Sequence, residues 1–276
     1  DWRRLANGLV FGRSGALNSP IVQAGSCFEL SPGGRLAKLP RCSRFDMTYR
    51  FILTTAVALT VCGVVSVWAD EKNAKPENGF VALFDGSSTG HWMNARSGKF
   101  PSKGWMIEDG CLKHEANGGG GDIITRGTYE QFDFRFEWKV AKRANSGVKY
   151  FIVRKRGSLG HEYQVIDDAG YPDGGKHSTA SFYDVLAPAK DKPIKPAGEF
   201  NTSRIVVKGQ TVQHFLNGKV VLTYRLGSDE VKAAVSKSKF RKLDVFGVRL
   251  AGHILLQDHG GEVWYRNIRI RDLGGK

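Results

Sequence analysis

Cysteine is scarce in this chain and badly placed for cross-linking. Of four in 276 residues, Cys27, Cys42 and Cys62 fall within the first 69, which leaves Cys111 alone beyond them. No disulfide framework can staple the remainder, so its stability must come from a buried core. Proline is sparse too: nine, beside 34 glycines and 11% aromatic residues, exclude a collagen-like repeat and favour strands joined by tight turns. A 41% hydrophobic content excludes a disordered tail, and length alone allows one domain or two. No βαβ alternation is present, which removes the doubly wound folds.

One long apolar run exists. From Met47 the chain reads Met-Thr-Tyr-Arg, then an apolar stretch from Phe51 to Val67, then Val67-Trp68-Ala69 before Asp70-Glu71-Lys72. A short basic start, an apolar stretch and small residues ahead of a charged segment make a secretory signal over 47–69, cleaved after Ala69. Seventeen residues interrupted by Gly63, Thr and Ser sit at the short limit for a membrane span, so no anchor is expected after processing. Residues 1–46 carry neither helical nor strand periodicity and read as an over-extended, disordered reading frame ahead of Met47; a genuine long n-region is the alternative. Residues 70–78 form a linker, and 79–276 a single domain. The expected location is periplasmic or extracellular.

Charge of one sign is in excess, with 41 Lys+Arg against 27 Asp+Glu. Removing residues 1–69 takes away 8 basic and 3 acidic residues and leaves a net +9. The basic residues are scattered through Arg135, Lys139, Arg154, Lys155, Arg156 and the 232–242 segment. They form no compact basic helix, so nucleic acid is not an expected partner. A solvated surface, or mild attraction to anionic glycans or envelope surfaces, fits better.

Beyond Gly79 the apolar runs are short and regularly punctuated. Phe132, Phe134, Phe136, Trp138 and Val140 alternate without fault against Asp133, Arg135, Glu137 and Lys139, which predicts an antiparallel strand with one face on a core. Asp109-Gly110 and Asn217-Gly218 predict two-residue hairpins, and Lys208-Gly209-Gln210 another reversal. Further strands are expected at 80–84, 105–107, 111–114, 123–125, 148–153, 162–166, 181–185, 203–207, 211–216, 220–224, 245–250, 254–257 and 263–270. One helix is expected, Asp229–Ser236, capped by Ser228. About a dozen strands fit an all-β, two-sheet sandwich of jelly-roll type. Cys111 and Trp92, Trp105 and Trp138 read as core residues, although a rim tryptophan can also stack on a sugar ring. His214 reads equally as a half-buried, satisfied histidine or a site residue.

Two strands carry polar residues where a plain strand would not. Glu162 and Gln164 share one face, Tyr163 and Val165 the other; Leu255, Gln257 and His259 align likewise. Each alone reads as a solvent-facing residue. Together they offer donors and acceptors suited to sugar hydroxyls and proton transfer. Asn145-Ser146-Gly147 reads as a turn, with Lys149 adding a cation at a strand entrance. Asp167, Asp168 and Asp173 lack an EF-hand pattern and read as a solvated acidic loop.

Seven motifs in order carry a resemblance: Gly79–Gly86, Asn145–Tyr150, Glu162–Asp168, Phe182–Asp184, Glu199–Asn201, His214–Gly218, and Leu256–Gly260 with Arg266–Ile268. Over residues 79–273 the chain resembles the exported 3-keto-disaccharide hydrolase domain family. Tyr171 stands where many family members are expected to carry His. The resemblance implies a concanavalin A-like jelly roll and action on 3-oxo glycosides made by a partner sugar 3-oxidoreductase. An ordinary glycosidase needs a carboxylate pair, and Glu162 has no acidic partner at i+2 or i+4. A 3-oxo sugar removes that need, because the ketone acidifies C2–H, and one base with ketone-polarising donors suffices. On this reading His259 or Glu162 is the base. Gln164, Gln257, Lys149 and Asn145 hold the ketone and hydroxyls, and Tyr183 or Asp167 assists the leaving group. No cofactor is required, although a divalent ion on Glu162 or His259 stays open as another way to polarise the ketone. A non-catalytic glycan-binding module of the envelope, or an adhesion domain, remains the competing class.

Overall fold

The computed structural model describes residues 79–171, 174–243 and 246–274. The expected signal at 47–69, residues 1–46 and the 70–78 linker lie outside the described residues. Among the described residues thirteen strands, numbered in chain order, make two antiparallel sheets. The larger runs β11 (Lys219–Arg225), β10 (Thr211–Leu216), β9 (Asn201–Lys208), β6 (Phe132–Val140), β13 (Val263–Asp272), β4 (Cys111–His114) and β3 (Trp105–Glu108), with β1 (Val81–Phe84) also paired to β13. The smaller runs β2 (Trp92–Asn94), β5 (Ile123–Thr125), β12 (His253–Leu256), β7 (Asn145–Ile152) and β8 (His161–Ile166). This is the all-β sandwich expected, with neighbouring strands often far apart in sequence.

The core lies between the sheets, and β6 shows why it forms. Its five apolar side chains are all buried in one cluster with Tyr163, Val165, Ile205 and Tyr265. Burying each stabilises the fold by about 1.5–3 kcal/mol. The opposite face of β6 carries a charge network instead. Asp133 is fully buried there, accepting from Arg204 at 2.7 and 2.8 Å and from Arg135 and Arg271 at 3.3 Å. Part of the basic excess is therefore spent on the outside of the larger sheet.

The turns follow their residues. Asp109 and Gly110 take φ of 49° and 70°, and Asn217 and Gly218 46° and 84°, the double positive φ that a two-residue hairpin requires. Helix α1 (Asp229–Ser236) begins where Ser228 Oγ accepts the Val231 N–H at 3.3 Å, and it buries Val231 and Val235. Cys111 is buried, and so are Trp92, Trp105 and Trp138.

Two predicted strands do not form. At 181–185 the chain follows β8 with only single bridges from Phe182 to Tyr163 and Leu186, because Ala180 and Asp184 take φ of 67° and 61° and break the extension. At 246–250 the described residues bend around Gly247, whose φ is 85° and whose N–H goes to His161 Nε2 at 3.1 Å. The Asn145-Ser146-Gly147 turn is instead the start of β7, paired with Ile166, Val165 and Gln164.

Candidate functional site

The outer face of the smaller sheet is laid out in transverse rows by its register. Side chains opposite one another on paired strands point the same way. Met93 pairs with Ile124, Leu255 with both Ile124 and Lys149, and Lys149 with Glu162, so one row crosses all five strands. Its first half, Met93, Ile124 and Leu255, packs with Ile152 of β7 in a small apolar cluster. Its second half is charged: Lys149 Nζ lies 3.5 Å from Glu162 Oε2.

The next row is polar. Gln164 pairs with Gly147, and the Gln257 N–H donates to Gly147 O at 3.0 Å. Gly147 is there for space: a Cβ on it would lie 2.4 Å from Glu162 Oε1 and 3.2 Å from Gln257 Oε1. Glu162 and Gln257 thus converge over a backbone that has no side chain of its own. Asn145 continues the same face of β7 and is backed by Gly261, where a Cβ would meet the Asn145 nitrogen at 2.7 Å. Asn145 Oδ1, Gln164 Oε1 and Gln257 Oε1 are buried without a hydrogen-bond partner. Native interiors rarely leave such groups unpaired, and hydroxyls of a ligand would satisfy them.

Loops roof this face beside β8. Tyr183 N–H donates to Glu162 O at 3.0 Å, and Ala180 N–H to Gln164 O at 2.9 Å, covering the strand's edge. Glu162 is consequently only 6% exposed. Burial raises its pKa above the usual carboxylate range, and the charges of Lys149, Lys239 and His259 only partly oppose this. Lys239 was not among the sequence candidates. Its ammonium sits 4.3 Å from the Tyr183 ring centre, and its N–H donates to Asp184 Oδ2 at 2.6 Å. Burial lowers the Lys239 pKa; Lys149 pushes the same way, whereas Glu162 and Asp184 push back. Against its own burial, Asp184 is held down to about 2 by Lys176, the Lys239 N–H and His177.

His259 is exposed on the loop after β12, near enough for its charge to bear on Glu162. That loop is fixed by its neighbour. Asp258 accepts from Gly121 N–H at 2.8 Å and Gly260 N–H at 3.1 Å, and it faces His114 Nε2 at 3.0 Å. His114 Nδ1 lies 2.9 Å from Gly261 O, so this fully buried ring spans both ends of the loop.

The remaining candidates are placed differently. Asp167 Oδ2 accepts the Arg143 N–H at 2.8 Å, which braces the turn before β7. Tyr183 packs its ring against His177, with centres 5.2 Å apart. His214 is fully buried between Ala180 O and Tyr150 Oη, both at 2.9 Å, the satisfied histidine of the two readings. Asp168 pairs with Lys192 at 2.7 Å, and Tyr171 Oη donates to Arg143 O at 3.1 Å. Asp173 lies outside the described residues. Among the described residues, no three His, Cys, Asp or Glu side chains gather as a metal-binding set, and no helix is long and apolar enough to cross a membrane.

Known proteins share this arrangement at the level of chain and fold. Residues 79–271 match the family model described as a 3-keto-alpha-glucoside-1,2-lyase-like domain. A 3-keto-disaccharide hydrolase of Bacteroides thetaiotaomicron is 35% identical over 231 residues, covering 71% of this chain and 79% of that protein. A crystal structure from Parabacteroides distasonis, assigned as a glycosyl hydrolase, is 30% identical with a TM-score of 0.63, over 71% of this chain and 95% of its own. A second protein of that organism with the same assignment is 27% identical with a TM-score of 0.55, over 70% and 99%.

Proposed function

The chain belongs to the 3-keto-alpha-glucoside-1,2-lyase-like domain family, and from that membership we propose that it cleaves 3-oxo glycosides by elimination and hydration. Glu162 takes the proton from C2, and the electron pair passes to the ketone oxygen as an enolate. Collapse of the enolate expels the C1 substituent, whose oxygen receives a proton, leaving a C1=C2 double bond conjugated to the ketone. Water then adds its oxygen to C1 and a proton returns to C2, so the net change is hydrolysis. The observation that carries this reading is a buried carboxylate of raised pKa beside Lys149, facing three unpaired amide oxygens. A base poised nearer neutrality removes a carbon-bound proton more effectively than an ordinary surface carboxylate. Lys149 and Lys239 supply positive charge to the enolate oxygen, and preorganised groups of this kind stabilise developing charge without rearrangement; the unpaired Gln164 Oε1 accepts from a sugar hydroxyl. His259, exposed at the edge of the site, protonates the leaving oxygen.

The substrate would come from an oxidoreductase that converts a sugar's C3 hydroxyl to a ketone. Export through the 47–69 segment belongs to the same reading, and an intact mass beginning at Asp70 would support it. The decisive experiment compares a 3-oxo glycoside with its unoxidised parent, each with hydrogen or deuterium at C2. Cleavage of the oxidised form alone, with a C2 isotope effect or exchange, is expected. Glu162→Gln should lower turnover by roughly 10²–10⁴-fold, the range of general-base catalysis. Cleavage of both forms, or neither, would overturn the elimination and favour an ordinary glycosidase or a binding module.

A further inference from the structure

The larger sheet has an outer face of its own, on the side of the sandwich away from Glu162. Its register sets Phe215 of β10 opposite Arg204 of β9, Arg204 opposite Arg135 of β6, and Arg135 opposite Arg269 of β13. Three guanidinium side chains therefore stand in one transverse row, about 4.8 Å from strand to strand. Like charges directly opposite one another destabilise a sheet, so such a row is costly unless something answers it. Two carboxylates answer it in part. Asp133 accepts from Arg204, Arg135 and Arg271, and Glu137 accepts from Arg266 and Asn267 at 2.8 Å. On these three adjoining rows five arginines stand against two carboxylates, and the face keeps an excess of positive charge.

The aromatic rings on this side are occupied by the cations. Arg204 lies 4.9 Å from the Phe215 ring centre, Arg266 3.9 Å from Phe200, Lys139 4.2 Å from Trp264, and Arg135 and Arg271 4.4 and 4.8 Å from Phe80. Each ring holds its cation in place, and the ring face so covered is closed to a sugar or a nucleic-acid base. The surface is built for charge rather than for stacking. Within it a cavity of about 310 Å³ opens, lined by Arg135, Arg204, Arg269, Thr202 and Phe215, with Glu137 in its wall.

We propose that this face is a docking site for an acidic polysaccharide, whose carboxylates are taken by the row of Arg204, Arg135 and Arg269. A planar guanidinium receives a carboxylate through two parallel N–H donors. Arg204 already does so within the fold, placing Nε and Nη2 on the two oxygens of Asp133 at 2.7 and 2.8 Å. Three such groups in line suit successive acidic units of an extended chain better than one compact ion, and the Thr202 hydroxyl adds a donor and acceptor beside them. The site does not depend on the elimination reading, because it and Glu162 lie on opposite outer faces. Docking here would hold the domain on an acidic glycan while the face that carries Glu162 stays open.

Binding of the whole protein to polygalacturonate, dextran, oligodeoxythymidylate and phosphatidylglycerol vesicles, measured at low salt, tests the site without any turnover. Polygalacturonate should bind, dextran should not, and the affinity should fall as added salt shortens the reach of the charges. Thr202→Glu sets a carboxylate at an exposed position in the cavity wall, and the Thr202 N–H bond to Asn217 Oδ1 survives it because the donor is backbone. Arg269→Glu reverses one charge of the row itself. Each should weaken polygalacturonate binding at least tenfold, and Thr202→Glu should do so with its melting temperature unchanged, so the test stands even where Arg269→Glu fails to fold. Polygalacturonate binding that Thr202→Glu leaves intact, dextran binding of equal strength, or equal affinity for the oligonucleotide or the vesicles would overturn the proposal.

Discussion

Glu162 is held in a compromise between burial and charge, and the compromise is measurable. Burial pushes its pKa up, while Lys149 and Lys239 pull it back. Because a base must be deprotonated to act, kcat/KM should rise with pH along an acid limb lying above the ordinary carboxylate range. Replacing either cation removes a charge that favours the carboxylate, so Lys239→Met and Lys149→Met should move that limb to still higher pH. If the lysines also meet the enolate oxygen, each loss should cost on the order of 10²-fold in kcat, as for removal of one oxyanion donor. A lysine that only packs against Tyr183 would lower the amount of folded protein and leave the limb where it was. A pH–rate profile of the two variants therefore distinguishes a catalytic role from a structural one.

On the scale of the strand, β7 gives up a side chain so that two others can meet. Gly147→Ala would place a methyl group against Glu162 Oε1, with no space for it to occupy. Overpacking of this kind costs roughly 1–3 kcal/mol, and a displaced carboxylate loses on the order of 10²-fold in rate. The expected result is a folded protein with a lowered melting temperature and far weaker turnover; an Ala variant with full activity would show that Glu162 need not lie over Gly147. Strand parity made Glu162, Gln164 and Gln257 legible in the sequence, since alternation alone fixes which residues share a face. It could not supply the order β2-β5-β12-β7-β8, which joins strands more than a hundred residues apart. Nor could it find Lys239 or the His114–Asp258 contact, because a loop residue and a buried strand histidine carry no periodic signal. The strand expected at 181–185 failed for a related reason: its apolar residues are buried, but positive φ at Ala180 and Asp184 turns them inward one at a time.

Taken as a whole molecule, the sandwich contains two histidines that it can keep only while they are uncharged. His161 Nε2 accepts the Gly247 N–H, and His214 donates from Nδ1 to Ala180 O, so each ring has a fixed neutral tautomer. Burial lowers the pKa of His161 to about 3 and that of His214 to about 4, from 6.5. The unfolded chain therefore binds more protons than the folded one below about pH 6.5. Stability from these groups is full above that value and is lost as pH falls toward 4, by at most roughly 1.4 kcal/mol per pH unit for each histidine. Glu162 acts in the opposite sense, since its raised pKa makes the folded state bind a proton earlier than the unfolded chain does. Asp184, held at about 2, loses its contribution only as pH falls below the ordinary carboxylate range. Urea midpoints measured from pH 7.5 to 4.5 should fall with acid, and should fall more steeply in Glu162→Gln, which lacks the opposing proton. Midpoints that stay level across that interval in both proteins would mean that the two rings accept protons inside the fold.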